Sequence, residues 1–217
     1  MSDSPHLPHA AVRPDEPPED YQLLVPRDWF RIDLTLDRWR PQLKKFVDQQ
    51  AARRHMSEEA RQGLWTALRN TAESGAAQGA LEVFLRSESA GDAATPATLL
   101  VSLLPLPKAL YAAPAELAYS LAARKGAAAE VTVVRLPAGE TVRVASATTL
   151  DLYVQMPGRA GYLLLAFSVP VSGVASSMGE LCEAIAYSLR WVQPARRSAA
   201  ATEGVREATP VTTRPPA

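Results

Sequence analysis

Hydrophobic and polar positions along this chain switch repeatedly between a period of two and a period near 3.6. Trp29 to Leu36 (WFRIDLTL) alternates, with Phe30, Ile32, Leu34 and Leu36 on one face and Arg31, Asp33 and Thr35 on the other. That pattern predicts a half-buried strand. Asp37 is placed to cap a helix over about 38–54, with Pro41 in its first turn and Trp39, Leu43, Phe46 and Val47 as its stripe. Ser57 is placed to cap a second helix, with Glu58 and Glu59 in the first turn and a stripe of Leu64, Trp65, Leu68 and Ala72. The second helix ends near Gly75 to Gly79, and two helices joined this closely predict an αα-hairpin.

The period then returns to two. Ala80 to Ser87 and Ala97 to Leu104 read as a hairpin around the turn-rich SAGDAATP, with Pro105 and Pro107 as stops. Pro114 to Lys125 reads as a short helix, with proline at its start, Arg124 and Lys125 in its last turn and Gly126 just beyond. Four strands follow, Glu130–Leu136, Thr141–Ala147, Thr149–Gln155 and Gly161–Val169, and a capping box of Ser177 and Glu180 opens the closing helix. That helix carries Met178, Leu181, Cys182, Ile185 and Leu189 on one face and runs to Leu189-Arg190-Trp191. Connections this short exclude parallel crossovers, which need a dozen or so residues. The order β-αα-ββ-α-ββββ-α predicts an α+β fold: an antiparallel sheet of about seven strands covered by helices, with the αα-hairpin after the first strand.

Residues 1–20 and 194–217 are rich in proline and charge and poor in large apolar side chains, so they read as a disordered leader and tail around one domain of 21–193. Lys plus Arg and Asp plus Glu both total 23. A balanced chain gives no general attraction to nucleic acid or an anionic membrane. No segment approaches the ~20 apolar residues of a membrane span, and no charged-then-apolar secretory leader is visible. A cytoplasmic location is the expectation, and the lone Cys182, on an apolar helix face, reads as a buried thiol. The bias to Ala, Arg and Pro has the flavour of an actinobacterial genome.

The closing strand-turn-helix ending in C-E-A-I-A-Y-S-L-R-W resembles the end of the PsbP-like α/β/α sandwich domains. So do Val25-Pro26 and Trp29 ahead of the first strand, and L-P-A-G-x-x-V-R-V over Leu136 to Val144. That superfamily includes extrinsic proteins of photosystem II and a small eukaryotic protein that binds the Ran GTPase. The resemblance covers about residues 22–192. It implies a scaffold that works by binding other macromolecules, with no shared active site to carry over.

Of the three histidines, His6 and His9 lie in the leader and His55 joins the two helices. HExxH, CxxC, a G-x-S-x-G elbow, a P-loop and G-x-G-x-x-G are all absent from the sequence, so neither an enzyme nor a cofactor or metal site is expected. The best polar candidate is a basic cluster in the first helix, Arg40, Lys44, Lys45, Arg53 and Arg54, preceded by Arg38. It suits an acidic protein partner better than nucleic acid, because no aromatic residues interleave the charges. An ordinary solvated face accounts for the same residues if Lys44 pairs with Asp48 and Arg53 and Arg54 complement the helix C-terminus. Trp39 and Trp65, on the inner stripes, read as core. The expectation is a non-enzymatic protein-interaction or scaffold module. The alternatives are a small-molecule or lipid-binding domain, or an accessory or chaperone protein of a bacterial secretion apparatus. An exposed apolar patch would favour the first and a closed cavity the second.

Overall fold

A computed structural model describes residues 17–86 and 96–192. The elements run β1 (Asp20–Gln22), β2 (Phe30–Asp33), α1 (Trp39–Arg54), α2 (Glu58–Ala77), β3 (Ala80–Arg86), β4 (Ala97–Pro105), α3 (Pro114–Lys125), β5 (Glu130–Leu136), β6 (Gly139–Ala145), β7 (Thr149–Gln155), β8 (Gly161–Ser168), α4 (Ser177–Tyr187) and β9 (Arg190–Val192). Strands β2 to β8 form one antiparallel seven-stranded sheet in the order β2-β3-β4-β8-β7-β6-β5. The α+β fold, the antiparallel sheet and the αα-hairpin are as the patterning predicts. Residues 1–16 of the leader, the whole tail, and the β3–β4 turn over 87–95 lie outside the described residues, as do His6 and His9.

Each face of the sheet has its own helical cover. On one face Cys182, Ile185 and Ala186 of α4, with Leu189, close over Leu99, Leu152, Leu163, Leu165 and Phe167. On the other, the hairpin buries Trp39, Leu43, Phe46, Val47, Leu64 and Leu68 against Ile32, Val83 and Leu85. Farther along that second face, Leu121 of α3 packs on Val142 and Val144. β4 and β8 sit at the centre, and Leu99, Val101, Leu163 and Leu165 are fully buried there.

Several element ends differ from the pattern-based expectation, each for a local reason. β2 stops at Asp33, whose carboxylate accepts from the Thr35 N–H at 2.9 Å and the Thr35 hydroxyl at 2.6 Å. That turn leaves Leu36 exposed rather than on the strand's inner face. α1 starts one residue later than drawn, with Arg38 at its N-cap and no side-chain cap from Asp37. Ser57 caps α2 as expected, accepting from the Ala60 N–H at 3.2 Å. α4 is capped by Ser176 in place of Ser177: the Ser176 hydroxyl accepts from the Met178 N–H at 3.2 Å.

The largest correction concerns the chain ends. α4 stops at Tyr187, and Arg190–Val192 is extended, pairing antiparallel with Asp20–Gln22. The Trp191 indole N–H donates to the Ala138 carbonyl at 2.7 Å, fixing β9 on the β5–β6 turn. The ordered domain therefore includes Asp20, which the sequence reading assigns to the leader.

Candidate functional site

α1 turns its apolar residues inward and its basic residues outward. Arg40 lies one turn before Lys44 and Lys45, while Arg53 and Arg54 sit about 20 Å farther along the axis, in the last turn. Much of the charge is already answered locally. Arg40 Nη2 reaches Glu73 Oε1 of α2 at 3.1 Å, and its guanidinium stacks 4.5 Å from the Trp39 ring centroid. Lys44 Nζ meets Asp48 Oδ2 at 2.7 Å, and Arg61 Nη1 meets Asp48 Oδ1 at 2.9 Å. Lys44, then Arg61, holds the Asp48 carboxyl below its ordinary range. Arg54 is half-buried. Lys45 and Arg53 are exposed and make no ion pair among the described residues. Pro41, Lys44, Lys45, Asp48, Gln49 and Ala52 line a shallow hollow of about 520 Å³ over this face. The five basic residues are thus brought to one helix: Arg40 and Lys44 are answered, Lys45 and Arg53 are exposed without an ion pair among the described residues, and Arg54 is half-buried. Trp39 is buried, Trp65 is half-buried against the same core, and His55 is exposed at the helix junction in a left-handed conformation.

A second, deeper concavity was not anticipated. It lies on the α4 side of the sheet, beside its end strand β2, and encloses about 800 Å³ open to solvent. One wall is the extended segment from Tyr21 to Arg27; the floor is Arg31, Asp33, Glu82 and Phe84. Arg31 and Glu82 form an ion pair from β2 to β3. Burial, then the charge of Glu82, pushes the Tyr21 phenol well above the usual tyrosine value, so it stays protonated and can donate. The Thr35 hydroxyl holds Asp33 below the ordinary carboxylate range. Trp29 also lines the cleft; it is 5% exposed, and its indole N–H is buried with no acceptor among the described residues. In the sequence this region is marked by Val25-Pro26 and Trp29, which carry a family likeness and no site signature.

A third feature is Asp151 on β7, half-buried opposite Val144 of β6 and Ala166 of β8. Burial raises its carboxyl above the ordinary value, opposed by Lys125 at the end of α3. The native state then holds the proton more tightly than the unfolded chain. Stability is therefore full below the ordinary aspartate pKa, about 3.9, and falls as pH rises through the raised one. Asp151→Asn is expected to raise the melting temperature at pH 7. The gain should disappear near pH 3 in thermal melts; an equal gain at both pH values would show that charge is not the cause.

Among the described residues no helix is long and apolar enough to cross a membrane, and no group of three or more His, Cys, Asp or Glu side chains is placed to hold a metal ion. Cys182 is buried. Comparison with protein-family models, with curated proteins and with solved structures finds no match to this chain.

Proposed function

We propose that this chain is a non-enzymatic protein-interaction module, a divergent relative of the PsbP-like sandwich domains, that docks an acidic protein partner through the outer face of α1. The observation that carries the reading is the imbalance of that face. α1 bears five basic residues against one acidic, and Lys45 and Arg53 remain exposed without a counter-ion among the described residues. The inner stripe of α1 is fully committed to the core, so the helix presents its outer face on a rigid support. The layering of helices on both faces of an antiparallel sheet agrees with the family likeness. Both concavities described above carry several charged side chains, where small-ligand pockets are predominantly apolar, which favours a macromolecular partner.

The variant that tests this is Lys45→Glu with Arg53→Glu, because it reverses charge without breaking the Arg40–Glu73 or Lys44–Asp48 pair. Tagged wild type and variant are purified from the native host, and co-purifying proteins are compared by quantitative mass spectrometry across a salt series. An acidic partner held by wild type is expected to bind the variant about tenfold more weakly, or about 1.4 kcal/mol. Wild-type binding should itself fall with salt, because exposed charges are screened beyond ~8 Å at physiological ionic strength. A folded variant that holds the same partner as tightly at every salt concentration would reduce the patch to a solvated helix face.

A further inference from the structure

The cleft beside β2 offers something the α1 face does not, which is unpaired main chain. In an antiparallel ladder, residues alternate between those that exchange hydrogen bonds with the neighbouring strand and those whose N–H and C=O turn away from it. The Leu34 N–H donates to the Leu81 carbonyl at 2.9 Å, in the same register that sets Arg31 against Phe84 and Asp33 against Glu82. Phe30, Ile32 and Leu34 are therefore the bonded positions. Arg31 and Asp33 turn their main-chain groups toward the open side of β2, where the sheet has no further strand among the described residues. Among the described residues no hydrogen bond engages those groups. An end strand with unpaired groups is a template for another strand.

The side chains around that edge specify what would fit. Those of Arg31 and Asp33 face the cleft, beside Glu82 and Phe84, and the far wall supplies Leu23 and Val25. Arg31 is taken up by Glu82, so Asp20 and Asp33 outnumber Arg27 on the rest of the lining. The unsatisfied indole N–H of Trp29, buried at the same wall, is a donor that a main-chain carbonyl would satisfy. We infer that this cleft receives an extended segment of a partner protein, added as a strand beside β2, with an apolar side chain on Phe84 and a basic one beside Asp33. Side chains on one face of a strand are two residues apart, so the segment carries an apolar and a basic residue in that spacing, basic–x–apolar when it runs antiparallel to β2 and apolar–x–basic when parallel. The inference rests on the protein-binding reading above and names the kind of segment the partner contributes.

The test uses the full chain, ¹⁵N-labelled, and a synthetic library of heptapeptides with an apolar and a basic residue fixed two positions apart in a Thr/Val background. The tightest binder is titrated while amide hydrogen exchange is followed by NMR. Exchange at Arg31 and Asp33 is expected to slow by about tenfold or more, because both amides gain partners. Asp33→Pro removes the outward N–H without touching the bonds to β3, and should weaken the peptide by at least about tenfold. Asp33→Lys is the second variant, kept in case proline disturbs β2; it should lose the basic peptide and accept its Glu-substituted counterpart. If no peptide slows exchange at Arg31 and Asp33, or if both variants bind the best peptide as wild type does, the inference is wrong. That failure, with the α1 double reversal still losing its partner, overturns the cleft alone; protected amides with an indifferent α1 variant overturn the α1 docking alone.

Discussion

Replacing Ile185 with alanine is expected to cost about 3 kcal/mol, within the range of 2–5 for a large aliphatic side chain cut out of a packed core. Ile185 is 2% exposed and lies in the same cluster as Leu163, Leu165 and Phe167. The cluster is closed between α4 and the sheet, so neighbours cannot collapse into the space without moving the helix or the strands. A loss of that size is a large fraction of the 5–15 kcal/mol typical of a whole domain. Leu181→Ala, on the same stripe, should cost only about 1 kcal/mol, because Leu181 is half-buried at the margin of the cluster. Guanidinium denaturation with equal slopes would measure both. Two losses of the same size, or both under half a kcal/mol, would mean that α4 does not pack by the face described.

That contrast shows where reading the chain reaches its limit. Helical spacing places Leu181 and Ile185 on one stripe with equal standing, yet which of them sits at the centre depends on where the sheet lies beneath. α3 was legible from end to end, Pro114 to Lys125, because proline at the start and glycine just after the end are local signals. All seven strands of the sheet were legible, β2 from its alternation and β8 from the unbroken apolar run Tyr162–Phe167. β1 and β9 were not: each is three residues long, and they meet across about 170 residues of sequence. Three residues carry no period, and the pairing that removes Arg190–Val192 from the helix is decided by tertiary contact. Of the adjacent serines the local signal favours Ser177, with Glu180 three residues on, yet the cap falls to Ser176, whose hydroxyl also closes a turn onto the Gly173 carbonyl. The candidate sites divide the same way. The basic residues of α1 fall within the single stretch 40–54 and could be named in advance, while the partner of Arg40 lies 33 residues away on α2. The cleft was invisible, because its wall and floor come from 20–35 and 81–84 and exist only once β1 is tied to β9.

The largest loss of all should follow from the smallest change at the centre of the sheet. Gly161 opens β8 opposite Pro105, the last residue of β4, with φ at +131°, where side chains other than glycine's are strained. A Cβ there would fall 2.1 Å from the Leu104 carbonyl oxygen, 2.9 Å from the Leu106 nitrogen and 3.0 Å from the Pro105 Cα. Every one of those atoms is main chain, so no side chain can rotate aside. β4 and β8 would have to part at the point where the Ala160 carbonyl accepts from the Leu106 N–H at 3.0 Å. Gly161→Ala is therefore expected to cost about 4 kcal/mol or more, enough to leave much of the expressed protein unfolded. Gly63→Ala is the matched control. It lies in the exposed interior of α2 with nothing within 4 Å of the added carbon, and removing a helix glycine should stabilise by up to about 1 kcal/mol. The two melts should move in opposite directions from wild type. If Gly161→Ala melts within a degree or two of the native chain, the close crossing of β4 and β8 described here is not the one the protein adopts.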